Sequence, residues 1–220
     1  MIIGVIGSGT MGSGIAQSFA SNNFKVLLHD ISDDMLSKAF NTINKSLDRM
    51  INKGITTKEE ANSSLANITT STSVDMMSNC DLIIEAATEN IDIKKKIFKK
   101  LDNLSKSNCI LASNTSSISI NELADSTNRP SMVIGMHFMN PVPIMKLVEI
   151  IKTTRTSKET LETVVNTAIK LGKKPVQCID SPGFISNRIL MPMINEAIYS
   201  LMEGVATKEA IDEIMMLGMS

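Results

Sequence analysis

The chain has 220 residues, of which 43% are hydrophobic and 20% charged, proportions that are ordinary for a globular protein. A net charge of -1 argues against a general attraction to nucleic acid or to an anionic membrane, and no apolar run approaches the roughly 20 residues of a membrane span. Three cysteines without metal-ligand or CxxC spacing favour a reducing cytoplasm over a disulfide framework or a zinc site. We therefore expect a cytoplasmic protein with no membrane, nucleic-acid or metal partner.

The first half of the chain alternates strand-like and helix-like segments. Ser32 is predicted to cap a long helix that Gly54 ends, and Thr57 and Glu60 form a capping-box pattern for the next helix. In chain order we predict strands at 1–6, 25–30, 67–71, 81–86 and 109–112, and helices at 10–21, 32–52 and 91–104, with a further helix after Thr57. Such an alternation predicts a Rossmann-like, doubly wound α/β fold with a mostly parallel sheet.

The second half changes character near residue 180. Short strands at 132–138 and 147–151 are predicted to extend the sheet in antiparallel fashion; a helix follows at 157–171 and a last strand at 176–179. Cys109 and Cys178 lie in apolar strand-like runs, so we expect both thiols in the core. From 184 to 203 and from 207 to 217 the pattern is helical with no strand between. We therefore predict a nucleotide-binding domain at 1–182 and the start of a helical domain at 183–220.

A glycine-rich segment, Gly7-Ser-Gly9-Thr-Met-Gly12, follows the first strand and opens a helix. This is the context in which GxGxxG signals a dinucleotide site. Gly7 would make the tight turn, Gly9 would let the backbone approach a pyrophosphate, and Gly12 would let helix and strand pack closely. The alternative is a tight strand–helix turn without a ligand.

Asp30 ends the second strand, eighteen residues after Gly12. A carboxylate there can bind the ribose 2′- and 3′-hydroxyls and would repel a 2′-phosphate. No arginine follows, since the next residues are Ile31, Ser32 and Asp33, and this favours NAD over NADP. The alternative role for Asp30 is a helix cap.

Polar residues end three more strands, where such folds bind ligands. They are Glu85-Ala-Ala-Thr-Glu89, Ser113-Asn-Thr-Ser116 and His137. Asn114 and Ser116 offer neutral donors for a nicotinamide or a substrate oxygen, although such a segment can also be only a turn.

His137 and Glu149 lie on either side of the segment Pro141-Val-Pro143. If the chain folds back near Pro143, the two positions are equidistant from the turn and face each other. A histidine held by a carboxylate is a general acid/base device. A core histidine with satisfied hydrogen bonds is the alternative.

Four blocks together resemble the short-chain L-3-hydroxyacyl-CoA dehydrogenase family, and within it the bacterial 3-hydroxybutyryl-CoA dehydrogenases. The blocks occur in family order and span essentially the whole chain. They are Gly7 to Gly14, Ser113-Asn-Thr-Ser-Ser117, His137 to Glu149, and Asp180-Ser-Pro-Gly-Phe-Ile-Ser-Asn-Arg188.

The resemblance implies an oxidoreductase that uses NAD(H) to interconvert short-chain 3-hydroxyacyl-CoA and 3-ketoacyl-CoA. It implies His137 as acid/base, Glu149 as its partner, and Ser116 and Asn187 on the substrate oxygen. Arg49 and Lys53 match positions that take the coenzyme A phosphates; otherwise they form a solvated helix face. The implied cofactor contacts are Gly9, Met11, Asp30, Glu89, Lys94, Ser116 and Asn140.

The resemblance also implies a helical domain that continues beyond Ser220, supplies a homo-oligomer interface and closes over the acyl chain. A catalytically weak NAD-binding module that acts through a partner chain is therefore the main alternative. A dehydrogenase of 3-hydroxy acids without coenzyme A ranks lower, because the related enzymes use a lysine motif and 181–190 contains no lysine.

Overall fold

The computed structural model describes residues 1–219 and contains an eight-stranded sheet in the order β3-β2-β1-β4-β5-β6-β7-β8. From β1 to β6 all neighbours pair in parallel, whereas β7 is antiparallel to β6 and β8 is parallel to β7. The strands are β1 (Ile2–Ile6), β2 (Lys25–His29), β3 (Ile68–Ser71), β4 (Leu82–Glu85), β5 (Ile110–Ser113), β6 (Val133–Phe138), β7 (Leu147–Lys152) and β8 (Lys174–Ile179).

The doubly wound, mostly parallel sheet expected from the sequence is confirmed. The antiparallel expectation is correct for the β6–β7 pair but wrong for the attachment of β6, which pairs in parallel with β5. The strand order reverses between β1 and β4, because β2 and β3 lie on one side of β1 and the later strands on the other. Ligand crevices of open α/β sheets lie at the carboxyl ends of strands at such a reversal.

Eight α-helices occur among residues 1–219. Thr57 caps α3 with both bonds of the predicted capping box. The short α5 was not predicted, nor was the 3₁₀ segment Val74–Asn79, because six residues show no clear periodicity. The helices are α1 (Thr10–Ala20), α2 (Asp33–Asn52), α3 (Lys58–Ala66), α4 (Ile91–Leu104), α5 (Ile120–Asp125), α6 (Lys158–Lys170), α7 (Ser186–Met202) and α8 (Lys208–Met219).

The core lies on the central strands, which are buried on both faces. All four residues of β4 and all four of β5 are buried, as the unbroken apolar runs indicate. Cys109 is in this core, and burial raises the pKa of its thiol to about 11. The prediction for Cys178 is wrong: it is only half-buried, because β8 is the edge strand and has a neighbour on one side alone.

Contacts divide the chain into a first unit, Met1–Asp180, and a second unit that starts at Ser181. The second unit contains α7 and α8, and neither helix has a buried residue. Within residues 1–219 we find no helix with the length and apolar character that crossing a bilayer requires.

Candidate active site

The turn after β1 has no space for a side chain at two of its three glycines. Gly7 has a φ of +92°, and a Cβ there would lie 2.7 Å from the carbonyl oxygen of Ala86. A Cβ on Gly12 would lie 1.8 Å from the carbonyl oxygen of Gly7. A Cβ on Gly9 would meet no heavy atom within 4 Å. The backbone is therefore open to a ligand at Gly9, as the motif predicts.

The amino end of α1 is prepared for an anion. Gly9 is its N-cap, and no side chain caps the first amides. The first turn carries no acidic residue that would oppose a negative ligand. Uncapped amides and the positive end of the helix dipole together favour a phosphate group at this position.

Asp30 is fixed against the same turn. Its Oδ2 accepts hydrogen bonds from the amide and from the hydroxyl of Ser8, both at 2.8 Å. The N-cap of α2 is Ser32, as predicted, although its side chain makes no capping hydrogen bond. Asp30 is therefore not the helix cap, and its carboxylate is held beside the glycine-rich turn.

A cavity of about 690 Å³ opens beside the turn, within the size range of small-molecule sites. Asp30 and Lys100 are the charged residues of its lining, and Met11, a predicted cofactor contact, also lines it. Its other apolar lining residues are Ile6, Ile31, Met35, Val74, Ile93 and Ile97, together with Ala86 and Ala87. An apolar cleft beside an anchored carboxylate suits a flat ring that carries a hydroxylated sugar.

Three charged side chains meet where β4 ends. The Lys94 Nζ lies 2.6 Å from Oε1 of Glu85 and 3.3 Å from Oε2 of Glu89. The Ser113 hydroxyl donates to the other oxygen of Glu85 at 2.6 Å. Glu85 and Lys94 are 0% and 1% exposed, respectively. The cluster joins the ends of β4 and β5 to the first turn of α4.

Glu89 extends this cluster to the segment after β5. Its Oε1 accepts from the hydroxyl of Thr115, and from the amide of Ser116 and the hydroxyl of Ser117 at 3.2 Å each. Burial acts to raise the pKa of Glu89, but the Thr115 bond and the charge of Lys94 outweigh it and hold that pKa below its usual value. An ionised Glu89 thus fixes the backbone that carries Ser116.

Asn114 connects the same segment to β6. Its Oδ1 accepts a hydrogen bond from the amide of Phe138 at 2.9 Å. Since Phe138 directly follows His137, this bond positions the end of β5 relative to the histidine. The sequence predicts that Asn114 offers a neutral donor to a ligand; with its oxygen held by the Phe138 amide, the group that would donate is the side-chain NH₂.

His137 and Glu149 face each other across the antiparallel pair β6–β7, as the sequence predicts. The Nδ1 atom of His137 lies 2.7 Å from Oε2 of Glu149, and the two residues are 8% and 3% exposed. Because a carboxylate only accepts, Nδ1 carries the proton of this bond. In the neutral ring Nε2 is then the basic nitrogen.

The turn between these strands is held from two sides, which sequence reasoning did not find. Lys173 Nζ donates to the carbonyl oxygens of Val142 and Met145 at 2.5 and 2.8 Å, and burial lowers the pKa of Lys173. A Cβ on Gly14 would lie 3.0 Å from Val142, so α1 approaches the turn closely. Exposed Asn140, a predicted cofactor contact, precedes Pro141 through a cis peptide bond.

Arg49 and Lys53, at the end of α2, line a second cavity of about 420 Å³. Both residues are exposed, as phosphate binding and a solvated helix face would each require. The remaining lining residues are Ser46, Met50, Ile55, Pro141, Pro143 and Ile144. The fold thus brings the two cations to the segment that follows His137.

Asn187 is the predicted site residue that belongs to the second unit, where it lies in the first turn of α7. Nearby in that unit, the Arg188 guanidinium donates to the hydroxyl of Ser181 at 2.8 Å. No cluster of histidine, cysteine and carboxylate side chains suited to a metal ion occurs within residues 1–219.

Sequence reasoning also missed Ser8 and Thr115, which hold Asp30 and Glu89. The signal for Glu85 was present, since a glutamate ends the otherwise apolar run Leu82–Glu85. A buried carboxylate requires a partner. The lysine-rich first turns of α4 did not reveal which lysine would supply it.

Comparisons with known proteins give one consistent result. The model of the 3-hydroxyacyl-CoA dehydrogenase NAD binding domain matches residues 2–181, and that of the family's C-terminal domain matches 183–220. The chain is 51% identical to a probable 3-hydroxybutyryl-CoA dehydrogenase of Deinococcus radiodurans, over 100% of this chain and 79% of that protein. It is 49% identical to a 3-hydroxybutyryl-CoA dehydrogenase of Clostridioides difficile, over 99% and 78%.

Among solved structures, the chain is similar to (S)-3-hydroxybutyryl-CoA dehydrogenase from Ralstonia eutropha, with a TM-score of 0.96 and 50% identity. That match covers 99% of this chain and 77% of the other.

Proposed function

The chain belongs to the 3-hydroxyacyl-CoA dehydrogenase family, and we propose that it interconverts (3S)-3-hydroxybutyryl-CoA and acetoacetyl-CoA with NAD(H). The observation that carries the proposal is the 2.7 Å contact between His137 and Glu149 in a nucleotide-binding sheet. A proton-transfer group beside a dinucleotide site is what oxidation of a hydroxyl group requires.

The residues present fit a dinucleotide. Space at Gly9, the uncapped amino end of α1 and the anchored Asp30 would hold the pyrophosphate and the adenosine ribose. The carboxylate of Asp30 opposes a 2′-phosphate, which supports NAD over NADP. Further cofactor contacts in the proposal are Gly7, Met11, Gly12, Glu89, Asn114, Ser116 and Asn140. Lys94, predicted as a contact, is 1% exposed and would act on the cofactor site through Glu89.

His137 moves the proton in this mechanism. A bound nicotinamide would supply the hydride chemistry at carbon 3 of the substrate. During oxidation, Nε2 of neutral His137 accepts the proton of the 3-hydroxyl group, and during reduction the protonated ring returns it. Such assistance accelerates a reaction by roughly 10²- to 10⁴-fold.

Glu149 acts through His137. Its carboxylate keeps the proton on Nδ1, so the basic nitrogen is Nε2, and it stabilises the imidazolium that forms during oxidation. Ser116 and Asn187 would donate hydrogen bonds to the substrate oxygen. The bonds from Glu89 to the Ser116 segment support the first of these roles.

Arg49 and Lys53 would take the phosphates of coenzyme A. Support comes from the cavity that they share with Pro141, Pro143 and Ile144, close in sequence to His137. Both cations are exposed, and Arg49 donates one hydrogen bond, from its Nε atom, to the carbonyl oxygen of Lys45; a guanidinium group has further donors for a phosphate. This role predicts that a substrate without the nucleotide part of coenzyme A binds more weakly.

The proposal includes a cytoplasmic homo-oligomer with two domains, the NAD-binding domain at 1–182 and a helical domain that begins at 183. The boundary is supported by the two family models, which meet between 181 and 183. The exposed apolar residues of α7 and α8 support the oligomer, since large exposed apolar patches mark contact surfaces. Sedimentation of the chain at several concentrations tests this part.

The test of the proposed function measures binding and turnover on the same sample. NADH binding is followed by nicotinamide fluorescence, and NADH oxidation is measured with acetoacetyl-CoA and with acetoacetyl-N-acetylcysteamine as the control without nucleotide. We expect NADH binding, turnover with both substrates and a higher KM for the control. Binding without turnover of either substrate would contradict the proposal and favour an NAD-binding module.

A further inference from the structure

Both carboxylate oxygens of Glu85 accept hydrogen bonds from the protein. Its Oε1 accepts from Lys94 Nζ at 2.6 Å and from the amide of Ala87 at 2.7 Å. Its Oε2 accepts from the Ser113 hydroxyl at 2.6 Å. The residue is 0% exposed, so it acts on other residues and does not contact a ligand.

Lys94 is held in the same way. An ammonium group has three donors, and Lys94 has three acceptors: Glu85 at 2.6 Å, Glu89 at 3.3 Å and the carbonyl oxygen of Ala87 at 3.4 Å. At 1% exposure, its charge is balanced by these groups and not by water. The position of the ammonium therefore depends on Glu85, the shorter of its two carboxylate contacts.

Glu89 connects the Lys94 ammonium to the proposed site. One of its oxygens faces Lys94, and the other holds Thr115, Ser116 and Ser117. Movement of the ammonium would shift the first oxygen and, through the rigid carboxylate, the second. The contacts thus connect buried Glu85 to the backbone of Ser116 in three steps.

From this chain of contacts we propose that Glu85 is a positioning residue, which fixes Lys94, Glu89 and the Ser116 segment for binding of NAD(H). The inference rests on the proposed function, because it assigns Glu89 and Ser116 to the cofactor site. Stability alone does not explain the charges, since apolar residues often replace a buried ion pair without loss of stability.

A surface ion pair between α4 and α5 provides a matched control. Lys95 follows Lys94 and lies 2.7 Å from Glu122, with side chains that are 38% and 56% exposed. This pair has a similar length but faces solvent, so its loss has little effect on either stability or binding.

The experiment compares Glu85→Gln, the double variant Glu85→Gln/Lys94→Met and the control Glu122→Gln in the full chain. Each is assayed for NADH affinity at a temperature where circular dichroism shows it to be folded. Glutamine keeps the shape of Glu85 but leaves the Lys94 ammonium without its main counter-charge. We expect NADH affinity to fall about tenfold or more in Glu85→Gln, with lower thermal stability, and no change in the control.

The double variant separates positioning from stability. Without either charge, thermal stability returns toward that of the wild type, whereas NADH affinity stays low because Glu89 has lost its cation. NADH affinity equal to wild type in a folded Glu85→Gln or double variant would overturn the inference and leave the proposed function intact. Absence of NADH binding by the wild type would overturn both.

Ser113→Ala decides the matter if neither Glu85 variant folds. It removes no charge, but it removes both the bond to Glu85 and the bond that the Ser113 hydroxyl accepts from the Thr115 amide. A several-fold loss of NADH affinity in the folded variant supports a positioning role for the Glu85–Ser113 contact beside this segment, and unchanged affinity contradicts the inference.

Discussion

The two units of the chain differ in what stabilises them. The first unit buries its apolar residues in the sheet and in the helices that cover it, and its largest fully buried side chains include Phe19, Phe98 and Phe138. The second unit has two helices of good length and no buried residue in either. In α7 alone, Ile189, Met191 and Met202 are 64%, 57% and 73% exposed.

This contrast illustrates that a helical sequence pattern does not by itself supply the packing that stabilises a helix. Most helical stability in proteins comes from packing an apolar face, and no residue of α7 or α8 is fully buried. The first unit also positions the glycine-rich turn, Asp30 and the His137–Glu149 pair by its own contacts. We therefore expect substitutions in the first unit to have the larger effects.

The largest difference in stability loss between the two units is expected for a glycine-to-alanine substitution made once in each unit. Gly12→Ala places a Cβ 1.8 Å from a backbone oxygen, so we expect unfolding free energy to fall by more than about 3 kcal/mol. Gly218→Ala in α8 meets no atom within 4 Å and should change stability by less than about 1 kcal/mol. Urea unfolding followed by circular dichroism measures both, and similar losses in the two variants would contradict the contrast.

The next prediction compares two isoleucines. Ile150→Ala in β7 removes a side chain that is 0% exposed and should cost about 2–5 kcal/mol. Ile189→Ala in α7, which is 64% exposed there, should cost less than about 0.5 kcal/mol. The sole tyrosine, Tyr199, lies in α7, so its fluorescence follows the second unit while circular dichroism follows both. A large loss for Ile189→Ala would show that α7 is packed more closely than its exposure indicates.

A smaller effect is expected for Asp30→Ser, because it changes cofactor choice and not the fold. Loss of the carboxylate removes the repulsion of a 2′-phosphate, so the kinetic preference for NADH over NADPH should narrow. Asp34→Ser, at an exposed position in the first turn of α2, is the control. An unchanged preference in Asp30→Ser would remove Asp30 from the cofactor site.

The smallest expected effect is a pH dependence of the stability of the first unit. Burial acts to raise the pKa of Asp102, but bonds from the Asn128 amide and from Arg129 outweigh it and lower that pKa. A lowered folded-state pKa stabilises the fold above the unfolded value of about 3.9, and the contribution is lost as pH falls through the folded value.

The destabilisation caused by Asp102→Asn should therefore be largest near neutral pH and shrink below about pH 4. Thermal melts across pH measure it, with Asp48→Asn, at an exposed position on α2, as the control. A destabilisation that is the same at all pH values would exclude a role for the ionised carboxylate.

The parts of the site that the sequence predicts depend on short local patterns. The glycine spacing sets the turn after β1, and equal distances from Pro143 place His137 opposite Glu149. The fold class follows from the alternation of apolar runs and helical periods.

The parts that escaped prediction depend on contacts between distant segments. Lys173 reaches Val142 across 31 residues, and Ser113 reaches Glu85 across 28. Local sequence does not show which of several lysines in α4 turns inward, because the partner of that lysine, Glu85, lies outside the helix at the end of β4. The half-buried state of Cys178 has the same origin, since it depends on the edge position of β8.

The central claim is that His137 moves the proton, and His137→Gln tests it most directly. Glutamine keeps much of the shape but has no basic nitrogen, and the cofactor turn is untouched. With acetoacetyl-CoA and saturating NADH, we expect NADH affinity near wild type and turnover lower by about a hundredfold or more. Turnover close to wild type in a variant that binds NADH normally would contradict the account.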